Sequence, residues 1–351
     1  MPRTLAAAAV RECTGRRSGR VTLGSRVKLA TLSCATCCIP HPVFLTFTPS
    51  SSIPNKGTIL KLVTFIAEGR TRPGAVDGEL VVDLAAAGLP VDEHGDLMAI
   101  VRGGDALLGQ VRAAVASPNR RALPLQSVHL TAPLLAPSKI VAVGLNYIDH
   151  CKEANLPVPG EPVLFTKWPN SITGPFDELR WPEAVTREVD YEVELGVVIG
   201  RRGCNIPEAD ALDYVCGYTV VNDVSARDLQ FANAKQWDRG KSLDTFCPWG
   251  PWIVTRDEID NPHDLEVRTI LNGKEMQKSN TKNLIFNINQ IIAYASQGTT
   301  LMPGDLIPTG TPFGVGFSRT PPVFLQHGDV CECSVEKIGS IRNTVNLARS
   351  I

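Results

Sequence analysis

Three carboxylates in residues 189–200 are the side chains best suited to chemistry, since they alternate with apolar residues. This alternation predicts a β-strand, in which residues two apart point to the same face. Asp190, Glu192 and Glu194 should therefore form a row. Like charges beside a buried strand end destabilise the fold unless a cation lies among them. A divalent metal ion would meet that need; the alternative is a solvated acidic face on an edge strand.

A fourth carboxylate, Asp223, follows a second predicted strand at 216–222. If the two strand ends face one crevice, Glu192, Glu194 and Asp223 supply three hard oxygen ligands without a Cys or His partner. Such a set suits Mg²⁺, Mn²⁺ or Ca²⁺ and argues against zinc. Three protein ligands in an octahedron also leave positions for water or a chelating substrate.

An imidazole and a carboxylate share one face of the predicted helix at 146–154, because His150 and Glu153 are three residues apart. A carboxylate beside an imidazole raises its basicity and fixes its tautomer, which suits general acid–base catalysis. The alternative is an incidental pair on a surface helix.

Two cations and a glycine loop are candidates for binding an anion. Arg227 lies one turn after Asp223 and could hold a substrate carboxylate. Lys241, between Gly240 and Ser242, could approach an anion closely. The loop at 308–316, rich in Gly and Thr, could cradle a carboxylate but lacks the Lys-Ser/Thr of a P-loop. The alternatives are solvated loop cations and a plain turn.

Strands and turns dominate the elements that must position these groups, which predicts a β-rich α+β fold with few long helices. The predicted strands are 58–65, a hairpin at 75–84 that turns at Asp77-Gly78, 139–144, 189–200, 216–222, 252–255, 265–271, 304–316 (running into the glycine loop) and 329–337. In addition to 146–154, the predicted helices are 97–101, 106–116, 207–215 and 287–297, and a single helical turn is predicted at 224–228.

The N-terminal segment differs in composition from the rest of the chain. Residues 1–28 hold seven basic residues and one acid among Ala, Ser and Thr, which is typical of a mitochondrial transit peptide. We therefore predict a transit peptide and linker at 1–55, the alternative being a disordered terminus. A small N-terminal β-rich domain should follow at 56–132, and a catalytic domain at 133–346.

The overall composition argues against several classes of function. A net charge of −1 gives no basic footprint for nucleic acid, which argues against a metal-dependent nuclease. No apolar run reaches the ~18 residues that a membrane helix needs. The ten cysteines have no regular spacing, so we interpret them as reduced thiols.

Together, these segments resemble the fumarylacetoacetate hydrolase superfamily over about 139–340. The motifs that carry the resemblance are Gly144-Leu145-Asn146-Tyr147 with Asp149-His150, Glu192-Val193-Glu194-Leu195, Asp223-Val224-Ser225-Ala226-Arg227-Asp228, Gly240-Lys241-Ser242, Asp244-Thr245-Phe246-Cys247-Pro248, and Gly310-Thr311-Pro312 with Gly314-Val315-Gly316.

The resemblance implies a mixed β-sandwich roll with a smaller N-terminal β-rich domain, and a homodimer. It implies Mg²⁺ or Mn²⁺ on Glu192, Glu194 and Asp223, with Ca²⁺ as a further candidate. It also implies roles for six other residues: His150 with Glu153 as an acid–base pair on a lid, Lys241 beside the metal-bound substrate, and Arg227, Gln230 and Thr311 as substrate contacts.

One departure bears on the substrate. Fumarylacetoacetases have a further metal-binding aspartate shortly before the catalytic histidine, where this sequence has Gly144, Leu145 and Asn146. The absence of that aspartate from this motif argues against fumarylacetoacetate as the substrate. The branch that the chain resembles is associated with keto–enol tautomerisation of oxaloacetate, and its relatives with decarboxylation or hydrolysis of acylpyruvates.

The residues leave the reaction open at two points. Either His150 or Lys241 is a candidate for the base that removes the C3 proton of a 2-oxo acid. The His150–Glu153 pair could also activate water, which keeps C–C hydrolysis as an alternative. A catalytically inactive homologue is disfavoured, since the ligand and base residue types are all present.

Overall fold

The computed structural model describes residues 59–153, 157–232 and 236–347, and these are mostly strands and turns. The strands are β1 (Lys61–Ala67), β2 (Arg70–Asp77), β3 (Leu80–Asp83), β4 (Ala122–Pro124), β5 (His129–Thr131), β6 (Ile140–Gly144), β7 (Val163–Lys167), β8 (Ile172–Thr173), β9 (Val189–Asp190), β10 (Val193–Ile199), β11 (Val215–Asn222), β12 (Ser225–Ala226), β13 (Cys247–Thr255), β14 (Glu266–Leu271), β15 (Lys274–Asn280), β16 (Leu306–Pro308), β17 (Val330–Val335) and β18 (Gly339–Thr344). The helices are α1 (Met98–Ala116), α2 (Ile148–Glu153), α3 (Arg227–Gln230), α4 (Asp238–Lys241) and α5 (Ile288–Ala295), with 3₁₀ turns at Leu125–Ser127, Pro169–Ser171, Glu208–Tyr214, Arg256–Glu258 and Thr281–Asn283.

Most strands belong to one large mixed sheet in the order β4-β3-β2-β1-β13-β11-β10-β16-β6-β7, where β16 and β6 are parallel. A second sheet, β15-β14-β17-β18, packs against β10, β11 and β13. The α+β, β-rich prediction is confirmed.

The largest hydrophobic cluster of the described residues lies between the two sheets. Leu195, Val197 and Val220 of the large sheet pack in one cluster with Val267 and Ile341 of the second. Burying such a side chain fully contributes roughly 1.5–3 kcal/mol relative to leaving it exposed. This burial fixes β10 and β11, which are buried along their whole length.

The N-terminal hairpins extend the large sheet, because Lys61 and Leu62 of β1 pair with Val254 and Ile253 of β13. Residues on both sides of the predicted boundary at 132/133 thus share one sheet, and that boundary stays a prediction. Residues 1–55 lie outside the described ranges. None of the described helices combines the length and apolarity needed to cross a membrane.

The prediction of one strand over 189–200 was wrong at its start. The segment forms two strands, since β9 pairs with β12 whereas β10 pairs with β11. Asp190 accepts a hydrogen bond from the amide of Tyr191 (2.8 Å) at the break. Because the chain changes partner here, Asp190 departs from the row of carboxylates.

Several helix predictions also needed correction. The two helices predicted at 97–101 and 106–116 are not among these: they are confirmed as the two parts of α1, separated by a kink at Gly104, whose φ of 56° and ψ of −150° are not helical. The helix at 207–215 is a 3₁₀ turn. The turn at 224–228 begins as β12 and becomes helical at Arg227. The helix at 287–297 is confirmed as α5, which buries the predicted apolar face.

Candidate active site

Three carboxylates converge where β10 begins and β11 ends. Val193 and Asn222 are paired in the antiparallel ladder, which brings Glu192 and Glu194 next to Asp223. One ligand oxygen of each lies within 4.8 Å of the others. All three side chains are buried, with at most 5% of the residue exposed.

The electrostatics of this triad fit a divalent cation. Burial raises the pKa of Glu192, but Lys241 and Arg227 outweigh that effect and lower it to about 2. In contrast, burial and the charges of Asp223 and Glu192 raise the pKa of Glu194 well above its usual range. Glu194 accepts the amide of Gly310 (2.7 Å) but, among the described residues, forms no ion pair. The triad could therefore hold a hard divalent cation, which would supply the missing positive charge.

Two buried lysines neutralise the other two carboxylates. Lys241 Nζ lies 2.8 Å from both Glu192 Oε2 and Asp223 Oδ2. Lys167 Nζ lies 2.6 Å from Asp223 Oδ1 and also donates to the carbonyl of Val224. Burial lowers the pKa of Lys241, but Asp223 and Glu192 outweigh this and raise it, so its ammonium is charged and acts as a donor.

The position of Lys241 depends on close packing of α4 against α3. A Cβ on Gly240 would lie 2.5 Å from the amide nitrogen of Gln230 and 2.6 Å from the carbonyl oxygen of Ala226. Only glycine allows this approach of the two backbones.

Arg227 is held by Asp190 and reaches the triad. Its Nε and Nη2 donate to Asp190 Oδ2 (2.9 and 2.8 Å), and Nη1 donates to Gln230 Oε1 (2.9 Å). Nη2 is also 2.7 Å from Glu192 Oε1. The guanidinium stacks over the ring of Phe317 at 4.4 Å. Asp190 thus orients a buried cation on the wall of the site.

His150 and Glu153 lie together on α2, as their spacing predicts, with Nδ1 3.4 Å from Oε2. Glu153 accepts the amide of Gly314 (3.0 Å), and Asp149 accepts the hydroxyl of Ser279 (2.7 Å). These bonds hold α2 against the glycine loop and β15, and His150 faces the cavity.

A cavity of about 500 Å³, including its open mouth, joins these groups. The structure places seven of the nine predicted site residues on its wall: His150, Glu192, Glu194, Arg227, Gln230, Lys241 and Thr311. Asp223 and Glu153 lie behind that wall, in contact with Lys241 and His150. The facing wall is aromatic, with the rings of Phe165 and Trp237 edge to face at 5.4 Å.

Sequence reasoning missed Lys167, Gln277 and the part that Asp190 plays. A lysine that ends the apolar run of β7 was the one local signal for Lys167. Gln277, on β15, is fully buried and bonds to the backbone of Val193, between two of the carboxylates. Nothing near Gln277 in the sequence indicates that contact.

Comparison with known proteins gives a consistent result. The family described as fumarylacetoacetate (FAA) hydrolase C-terminal matches residues 139–346. The mitochondrial oxaloacetate tautomerase fahd2 of Xenopus laevis is 50% identical over 243 residues, covering 69% of this chain and 76% of the relative. A fumarylacetoacetate hydrolase domain-containing protein 2 homolog of Dictyostelium discoideum is 43% identical, covering 82% of this chain and 97% of that protein.

Solved structures share the fold. A putative HpcE protein from Mycobacterium smegmatis aligns with a TM-score of 0.74 and 38% identity, covering 82% of this chain and all of that one. The maleylpyruvate hydrolase from Sphingobium sp. SYK-6, in complex with manganese (II) ion and pyruvate, aligns with a TM-score of 0.70 and 32% identity. It covers 82% of this chain and 99% of its own.

Proposed function

The chain belongs to the fumarylacetoacetate hydrolase family, and on that basis we propose that it is a divalent-metal-dependent oxaloacetate keto–enol tautomerase. The observation that carries the proposal is the buried triad of Glu192, Glu194 and Asp223 beside a cavity lined with cations. The naming of a relative at 50% identity as an oxaloacetate tautomerase supports the choice of reaction.

We propose that Glu192, Glu194 and Asp223 hold Mg²⁺ or Mn²⁺, with Ca²⁺ as the third candidate. Carboxylate oxygens suit all three ions, and a structural relative was solved with manganese. When bound, the cation supplies Lewis acidity that favours the enolate of a 2-oxo acid.

The charge balance of the site favours an anionic substrate. When every group is ionised, the four buried carboxylates (Asp190, Glu192, Glu194 and Asp223) and the three buried cations (Lys167, Arg227 and Lys241) sum to one negative charge. A divalent cation turns this into one positive charge. A cavity with that balance attracts a dicarboxylate such as oxaloacetate.

The remaining polar groups of the cavity bind and orient the substrate. Arg227 and Gln230 form a buried, hydrogen-bonded pair on the cavity wall, suited to a carboxylate. Lys241 brings a charged donor to the cavity wall, and Thr311 lies on that wall beside the carboxylates. The aromatic wall excludes water and strengthens these electrostatic contacts.

His150 transfers the proton, with Glu153 as its orienting partner. Since Nδ1 faces Glu153, Nε2 is the atom that takes the C3 proton of the keto form and returns a proton to the carbonyl oxygen. In the reverse direction, His150 takes the proton of the enol hydroxyl and returns a proton to C3, which converts the enol to the keto form. Positioned acid–base catalysis of this kind contributes about 10²–10⁴-fold. We assign Lys241 to charge stabilisation rather than to the base, because its ammonium is ion-paired with Glu192 and Asp223.

The test follows the absorbance of enol-oxaloacetate as it decays. The proposal predicts decay faster than the buffer blank with Mg²⁺ or Mn²⁺, and a return to the blank rate after EDTA. If enol-oxaloacetate decays no faster with the metal-loaded protein than in buffer alone, the assignment as an oxaloacetate tautomerase is wrong.

Hydrolysis of C–C bonds is the second candidate, because the His150–Glu153 pair could also activate water and a structural relative is a maleylpyruvate hydrolase. Incubation with acylpyruvates and chromatography separates the two activities. Pyruvate plus a carboxylic acid would establish hydrolysis, whereas unchanged acylpyruvate would leave tautomerisation as the reaction.

We also propose a homodimer, a mitochondrial location with residues 1–55 as transit peptide and linker, and a small domain at 56–132 before the catalytic domain. The relative from Xenopus laevis is named mitochondrial, which supports the location. Light scattering during gel filtration tests the dimer. Import into isolated mitochondria, with N-terminal sequencing of the product, tests the transit peptide.

A further inference from the structure

Gln277, on β15, is a fully buried polar side chain beside the carboxylate triad. Its amide uses its whole hydrogen-bonding capacity. Oε1 accepts the amide of Val193 (3.0 Å) and the hydroxyl of Thr269 (2.8 Å). Nε2 donates to Thr311 Oγ1 (2.9 Å) and to the carbonyl of Pro312 (3.0 Å).

Three hydrogen bonds form a closed ring that begins at the backbone N–H of Val193 and ends at its carbonyl. The Val193 amide donates to Gln277, Gln277 donates to Thr311, and the Thr311 hydroxyl donates back to the carbonyl of Val193 (3.0 Å). The orientation of the Gln277 amide is determined, since reversing it would set its NH₂ against the Val193 N–H. The same reversal would set its oxygen against the carbonyl of Pro312.

The ring lies where β10 lacks a neighbouring strand on one side. β16 pairs with β10 only from Gly196 to Val198, so the backbone of Val193 has no strand partner on that edge. Gln277 and Thr311 replace the missing strand with side-chain hydrogen bonds. Val193 lies between Glu192 and Glu194. The ring therefore fixes the stretch of backbone from which both carboxylates project.

The ring also restricts what Thr311 can offer a ligand. A hydroxyl has one hydrogen to donate, and Thr311 gives it to Val193. The side chain of Thr311 therefore does not donate to a substrate carboxylate while the ring is closed.

From this geometry we propose that Gln277 is a positioning residue, which sets Glu192, Glu194 and the glycine loop in the arrangement that binds the cation. The role rests on the proposed metal-dependent function. The glycine loop is packed tightly here, since a Cβ on Gly314 would lie 2.2 Å from the carbonyl oxygen of Met276. Loss of the ring should therefore disturb both segments together.

The test compares Gln277→Met and Gln277→Glu with a control, Gln290→Met. The Met variant removes the ring, whereas ionised Glu keeps the acceptor for Val193 but loses the donor to Thr311. Gln290 forms the capping box of α5, and its hydrogen bonds among the described residues are with Asn287 and not with the triad, so its loss reports on stability alone. Circular dichroism checks that each variant folds.

Two measurements are made on each protein. Hydrogen exchange of the metal-free protein, followed by mass spectrometry, should accelerate at 189–195 and 309–314 in both Gln277 variants but not in the control. Mn²⁺ affinity should fall about 10–100-fold in both Gln277 variants, the range typical for groups that orient metal ligands, and stay within threefold in the control.

Unchanged exchange in those two segments would overturn the ring, and unchanged Mn²⁺ affinity would overturn the positioning role. If the unsubstituted protein binds Mn²⁺ but does not act on oxaloacetate, the proposed function fails while the positioning role stands. If the unsubstituted protein binds no Mn²⁺, both fail.

Discussion

At the scale of single residues, the site is a buried cluster of charges in which Glu194 differs from its neighbours. Glu192 and Asp223 have cationic partners within 3 Å, whereas the described contact of Glu194 is one backbone amide. A buried charge without a cationic partner is costly, which explains the opposite pKa shifts of the two glutamates.

The first prediction concerns Glu194→Gln. Because the pKa of Glu194 is raised in the folded protein, the native state keeps its proton where the unfolded chain has lost it. Its ionisation therefore lowers stability as pH rises above about 4.3, the unfolded value. Metal-free E194Q should lack this loss and unfold at a higher temperature than the unsubstituted protein at pH 7, while Mn²⁺ affinity falls more than about 100-fold.

Thermal unfolding from pH 5 to 8, with and without EDTA, checks the direction of this difference in melting temperature between E194Q and the parent. The Glu192 contribution runs the other way, since its pKa of about 2 gives stability that is lost only as pH falls below 4.3. A metal-free E194Q protein that melts below the parent throughout this range would contradict the electrostatic account.

The second prediction concerns His150→Asn. Removing the acid–base group should lower turnover of enol-oxaloacetate about 10²–10⁴-fold and leave Mn²⁺ affinity within threefold. His94→Asn, at an exposed histidine outside the cavity, is the control and should retain parental turnover. An H150N variant with unchanged turnover would show that the proton is handled elsewhere.

At the scale of secondary structure, short helices and strand ends bring distant segments to the site. The alternation of 189–200 was sufficient to predict Glu192 and Glu194, and Asp223 followed from the end of a strand. The break at Tyr191 could not be predicted, since it depends on β9 pairing with β12 rather than continuing β10. Lys167 and Gln277 are 56 and 84 residues from their contacts Asp223 and Val193, so no local pattern indicates them.

The third prediction tests the packing of α4 on α3. In Gly240→Ala, the added Cβ meets backbone atoms at 2.5 and 2.6 Å, which forces the helices apart and moves Lys241. We expect a loss of about 1–3 kcal/mol in the free energy of unfolding and a turnover at least tenfold lower.

The matched control is Gly109→Ala in α1, where an added Cβ has open space. Helix propensity predicts that this variant gains up to about 1 kcal/mol without a change in turnover. Urea unfolding and the enol assay measure both quantities. Equal stability of G240A and the parent would show that the helices can separate without cost.

At the scale of the whole molecule, two packed sheets hold one end of β10 and β11 rigid while the other end carries the charges. The β-rich fold could be predicted because strand alternation and turns are local properties. The sheet order could not, since β1 pairs with β13 across nearly 200 residues. The pairing places the N-terminal hairpins two strands from β11, because β13 is the direct neighbour of β11.

The fourth prediction is that metal binding stabilises the whole fold. A ligand that binds only the native state, at a free concentration of 100 times its Kd, adds about 2.7 kcal/mol. Mn²⁺ should therefore raise the melting temperature of the parent by several degrees and that of E194Q by much less. Equal shifts in both proteins would place the cation at another site.

A crystal structure with Mg²⁺ and oxalate, an enolate mimic, tests the central claim most directly. The account predicts one cation at about 2.0–2.1 Å from an oxygen of each of Glu192, Glu194 and Asp223, with two oxalate oxygens and one water completing its octahedral shell near Arg227 and Lys241. A cation bound elsewhere, with Lys241 still bridging Glu192 and Asp223 in a site that oxalate does not enter, would contradict it.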